Sequence, residues 1–123
     1  MATGFTIGAR LKSIGFALAG IAYMIRTQHN AWLHLIATAL VCALGVALKI
    51  QAADWRWLIV AITLVWVAEA MNTAFEHLCD VVSPEFHNSV KISKDVAAGA
   101  VLICALGAAC LGALIFAPYL GLR

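Results

Sequence analysis

Residues 55–80 read WRWLIVAITLVWVAEAMNTAFEHLCD, an apolar run that carries Glu69, Asn72, Thr73, Glu76 and Asp80 in its second half. Crossing a bilayer requires about 20 mostly apolar residues, so the stretch reads as one transmembrane helix over about 56–80. A carboxylate near the centre of such a helix costs about 2.5–3.5 kcal/mol on insertion scales, and two or three on one face need compensation. At 100° per residue the five polar residues fall within an arc of about 100°. Val67, Ala74, Phe75, Leu78 and Val82 take the other side, so the acidic groups form a stripe. Measured from Trp55, Glu69 lies about 21 Å along the axis and Glu76 about 31 Å, against a hydrocarbon core of about 30 Å. The stripe therefore begins inside the hydrocarbon and runs out to one surface. A helix end already in water would account for Asp80 and Glu76, but poorly for Glu69 with Asn72 beside it.

The rest of the chain agrees with a membrane protein. Its 123 residues are 64% hydrophobic and 11% charged, with mean hydropathy +0.97, against roughly 45–50% apolar and about 25% charged in soluble domains. A net charge of +2 is too slight to imply a nucleic-acid partner. Two further spans are expected, at about 31–49 and 95–117, with polar connectors KIQAADWR and VSPEFHNSVKISK between the three. Ser83-Pro84 should end the second span, because proline cannot continue a helix. Cys42, Cys79, Cys104 and Cys110 stand singly in apolar sequence and read as packed thiols.

Residues 7–25 place Ile7, Leu11, Ile14, Leu18, Ile21 and Ile25 on one helical stripe, the pattern of an amphipathic helix in the membrane interface. A secretory signal peptide is the alternative, less favoured because no clear processing site precedes Arg26. With the N-terminus inside, Arg10, Lys12, Arg26, Lys91 and Lys94 are cytoplasmic, and Lys49, Arg56 and Arg123 lie outside. Trp55, Trp57 and Tyr119 would then form an outer aromatic belt and Trp32 an inner one. The third span is rich in Ala and Gly, which lets helices approach closely in lipid. Three helices alone do not hide several intramembrane polar groups, so an oligomer is expected.

Lys91, Lys94 and Asp95 share a face at the start of the third span and enter from the same side as Glu76 and Asp80. Carboxylates with an amide offer hard oxygen ligands for Mg²⁺, and a neighbouring lysine suits a phosphate. A carboxylate set deeper could act as general base toward a lipid hydroxyl. The arrangement points to phosphoryl transfer to a lipid, although no nucleotide-binding loop or kinase signature is present. Two other classes stay open: a small proton-coupled transporter, which needs a polar path to both faces, and a non-enzymatic assembly subunit, which binds no nucleotide.

EAMNTAFEHLCD (69–80) resembles the E-x-x-N-[ST]-A-x-E-x-x-x-D signature of the small prokaryotic integral-membrane lipid kinases, the diacylglycerol kinase and undecaprenol kinase family. VSPEFH (82–87) and KISKDVAAGAVLI (91–103) are similar to its loop and third helix, closer to the undecaprenol kinase branch. The resemblance covers nearly the whole chain. It implies a single all-α membrane domain over residues 1–123, with three transmembrane helices and an N-terminal amphipathic surface helix, assembled as a homotrimer with active sites shared between subunits. It further implies Mg²⁺-dependent transfer of the ATP γ-phosphate to undecaprenol or diacylglycerol at the cytoplasmic face of the bacterial inner membrane.

Carried over by position, Glu69 resembles the general base and Asn72 its polar neighbour near the phosphoryl group. Glu76 resembles the metal-binding carboxylate, Lys94 and Asp95 the nucleotide-contacting pair, with Asp80 and Lys91 supporting the same region. Gln28 stands where many members carry a metal-holding glutamate. Phe16 stands where a tyrosine contacts ATP, with Arg10 or Lys12 as the basic residue near it. His34 resembles a histidine of undecaprenol kinase-like members, and a capped interfacial imidazole explains it equally well.

Overall fold

The computed structural model describes residues 4–122, and Arg123, counted above among the outer cations, lies outside them. The described residues form four helices: α1 (Ile7–Thr27), α2 (His29–Ala47), α3 (Ala52–Val82) and α4 (Asn88–Tyr119). Of these, α2, α3 and α4 are long and apolar enough to cross a membrane.

The sequence sets each boundary through local hydrogen bonding. Thr6 opens α1 by accepting the Ala9 N–H on Oγ1 at 3.2 Å, satisfying one of the donors a helix start leaves free. Only Gln28 separates α1 from α2. Its backbone turns extended, yet its N–H still reaches the Met24 carbonyl at 2.9 Å. At the end of α2, Lys49 takes φ 51°, the Lys49 N–H bonds Val46 O and the Ile50 N–H bonds Gly45 O, each at 3.1 Å. That pairing is the Schellman closure, here built with a lysine in the left-handed position glycine usually holds. Ser83-Pro84 ends α3 as expected, with the Ser83 hydroxyl donating to the Glu85 carbonyl at 3.1 Å.

Two connectors are shorter than the sequence implies. The second span starts at Ala52, not near 56, because Ala52 and Ala53 favour helix and Asp54 in the first turn complements its dipole. The third starts at Asn88, not 95. His87 caps it by accepting the Ser89 N–H on Nδ1 at 3.2 Å, and NSVKISK contains no breaker. Lys91, Lys94 and Asp95 therefore stand on a formed helix that precedes the apolar part of α4.

The longest packed boundary is between α3 and α4, with α2 against α3 and α1 touching α2 and α3 near Met24. Ile50, Leu58, Ile115 and Phe116 form a core at the end where α2 turns into α3. Tyr119 locks that end: its hydroxyl donates to Asp54 Oδ2 at 2.6 Å and accepts the Gln51 N–H at 3.0 Å. Trp55 does not simply sit in a belt. A Cβ on Gly45 would lie 2.9 Å from its Cη2 and Cζ2, so the indole is wedged against α2, while Trp57 is exposed. On α4, a Cβ added at Gly99, Gly107 or Gly112 would meet nothing within 4 Å among the described residues.

Candidate active site

The packing face of α3 carries Leu58, Ala61 and Val65 and continues directly into Glu69, Asn72 and Thr73, all buried. Val67, Phe75, Leu78 and Val82 on the opposite side are exposed. The polar stripe is thus an extension of the core seam and turns away from lipid. Glu69 is 1% exposed, Asn72 6% and Thr73 5%. Among the described residues, both Glu69 oxygens, Asn72 Oδ1 and Thr73 Oγ1 have no hydrogen-bond partner. Buried polar atoms are rarely left in that state, and each costs about 1–3 kcal/mol. A site that binds polar substrates is where such groups are kept.

One helical turn farther on, Asn72 donates from Nδ2 to Glu76 Oε1 at 3.2 Å. This leaves the Asn72 carbonyl oxygen free beside a half-buried carboxylate. Oxygen donors of this kind fit a hard divalent cation. Among the described residues no three of His, Cys, Asp and Glu converge on one point. Gln28 lines a separate small cleft with Arg26, Thr27, His29 and Trp32.

Toward the end of α3, Lys94 donates to Asp80 Oδ1 at 2.9 Å, joining α4 to α3. Lys91 donates to Asp95 Oδ2 at 2.6 Å within α4. These four residues line a cleft of about 410 Å³ closed by the 83–87 loop. Arg10 and Phe16 lie elsewhere. Arg10 stacks over Phe5 at 5.7 Å and Lys12 over Phe16 at 5.8 Å, all exposed on or next to α1. Among the described residues no hydrogen bond or ion pair joins them to α3 or α4.

His34 is the residue whose place the sequence left undecided. Its Nε2 lies 3.6 Å from Glu69 Oε2, and its ring meets Trp66 edge-on with centroids 6.4 Å apart. The pairing follows from the register of the α2–α3 hairpin. Thr38 meets Trp66, and one turn farther from the hairpin His34 meets Glu69. From His34 and Thr38 an apolar groove of about 410 Å³ runs between α2, α3 and α4 toward Phe116. Its walls beyond those two residues are apolar.

Residues 15–116 match the family model described as prokaryotic diacylglycerol kinase. The chain belongs to that family. It is 34% identical over 109 residues to an undecaprenol kinase of Bacillus subtilis, covering 89% of each chain. It is 35% identical over 109 residues to a diacylglycerol kinase of Synechocystis sp., covering 88% of this chain and 62% of that one. As a member of the prokaryotic diacylglycerol kinase family this multi-pass membrane protein is a lipid kinase, a phosphotransferase with an alcohol group as acceptor.

Proposed function

We propose that the chain, as one lipid-kinase domain, transfers the γ-phosphate of ATP to the hydroxyl of undecaprenol or diacylglycerol, with Glu69 as general base. The observation that carries this reading is the Glu69 carboxylate, buried in the seam of a membrane helix with both oxygens unpartnered. The lipid tail enters from the bilayer along the apolar groove below His34, whose lining suits an acyl or isoprenoid chain. Glu69 accepts the hydroxyl proton as the lipid oxygen attacks the γ-phosphorus, and the bond from that phosphorus to the bridging oxygen of ADP breaks.

Glu76 and Gln28 would hold Mg²⁺, with the free Asn72 oxygen facing the phosphoryl group. Bound there, the cation offsets negative charge on the phosphoryl oxygens. Lys94 and Asp95 contact the nucleotide in the cleft beside the 83–87 loop, Asp80 and Lys91 fix those two by the ion pairs described, and Arg10 and Phe16 reach the nucleotide from α1. The cytoplasmic end of the bundle is the one that carries Asp80 and Lys94, in the bacterial inner membrane with the N-terminus inside.

The active protein is a homotrimer with sites shared between subunits. The open glycines of α4 support this, because a helix of a neighbouring subunit can approach closely there. The test is incubation of purified protein in lipid with radiolabelled MgATP and either undecaprenol or diacylglycerol. Label on one lipid establishes the reaction and names the acceptor; label on neither overturns it.

A further inference from the structure

His34 is held more firmly than an interfacial histidine needs to be. Its backbone carbonyl accepts the Thr38 hydroxyl at 2.7 Å, and Thr38 Oγ1 in turn accepts the Trp66 indole N–H at 3.1 Å. Trp66 comes from α3 and also packs edge-on against the imidazole. A three-residue clamp across two helices thus fixes the ring, and it points Nε2 at Glu69 Oε2, 3.6 Å away. The imidazole is 16% exposed and the carboxylate 1%, so little water competes for the contact. His34 also borders the apolar groove.

We infer that His34 is the positioning residue of Glu69: its Nε2–H fixes Oε2, leaving Oε1 to receive the proton of the acceptor alcohol. The inference rests on the role of Glu69 proposed above. A movement of about 0.6 Å brings the pair to ordinary hydrogen-bond length, and hydrogen bonds at active sites commonly tighten this way once substrate is bound. Among the described residues the carboxylate has no hydrogen-bond partner, so none of them but His34 selects one orientation of its two oxygens. Orientation of the base acts on the rate of the chemical step and leaves nucleotide affinity alone, because Lys94 is held by Asp80, about 16 Å along α3 from Glu69, and Asp95 by Lys91, in ion pairs of their own.

Three variants separate this role from packing. Glutamine places an amide N–H where Nε2 stands, whereas asparagine reaches only the position of Nδ1. In the lipid phosphorylation assay His34→Ala should lower kcat by about 10–100-fold, the effect of losing a hydrogen bond to a charged group, with KM for ATP within about twofold of wild type. His34→Gln should recover most of that loss and His34→Asn should not. If His34→Ala does not assemble, the Gln and Asn variants decide alone. Equal rates in those two, or a kcat unchanged in His34→Ala, overturn the positioning role while the kinase reading stands. Absence of transfer by the wild-type protein itself removes the kinase reading, and this role with it.

Discussion

Replacing Glu69 with methionine should make the protein more stable and inactive at once. The side chain is 1% exposed, and neither oxygen has a hydrogen-bond partner, so the folded state carries a desolvated polar group that methionine removes. That penalty is about 1–3 kcal/mol for an unsatisfied buried group. Methionine is unbranched, close in volume and about equal in helix propensity, so cavity and backbone terms are small. The His34 contact at 3.6 Å reduces the gain without cancelling it. Glu69→Met is therefore expected to raise unfolding free energy by about 1–2 kcal/mol, read as a shift of the reversible denaturation midpoint in mixed micelles at matched protein concentration. A fall in stability of about 1 kcal/mol or more would refute the reasoning, since it would mean that Glu69 is a satisfied structural residue. The trade of stability for activity at one position is what a functional carboxylate in a membrane seam implies.

Further consequences concern the neighbouring groups and the opposite end of the bundle. Glu76→Gln should raise the Mg²⁺ concentration for half-maximal rate by about 10–100-fold with assembly intact, measured by metal titration of the lipid assay. Gly45→Ala should destabilise by about 1–3 kcal/mol, read as a lower denaturation midpoint in mixed micelles, because the added methyl meets the Trp55 ring at 2.9 Å. Tyr119→Phe removes one hydrogen bond to Asp54 and one from Gln51 and should lower the denaturation midpoint by an amount worth about 1–2 kcal/mol, with kcat unchanged.

Much of the architecture was legible because it rests on one-dimensional signals. Span length, the apolar period and Pro84 located the three long helices and the end of α3, and the angular spacing of Glu69, Asn72, Thr73 and Glu76 put them on one buried face. The starts of α3 and α4 are not legible in the sequence, because polar residues in the first turns of a membrane helix look like connector: Gln51 and Asp54 at one, NSVKISK at the other. Trp55 was read as an interfacial residue because nothing local reveals that Gly45, ten residues away across a turn, leaves room for its ring. The Glu69–His34 contact depends on the register between α2 and α3, which the turn at 48–51 sets and neither helix reveals alone. Gln28, Phe16 and Arg10 are legible only through resemblance, and among the described residues no hydrogen bond or ion pair joins them to Glu76.

The most direct test of Glu69 as the base is the rate of γ-phosphate transfer to the accepted lipid by Glu69→Gln, an isosteric change that keeps the side chain's shape and removes its ability to take a proton. The account predicts loss of transfer by about 10²–10⁴-fold, the usual contribution of a general base, in a protein that still assembles and binds ATP. Transfer at the wild-type rate would contradict it.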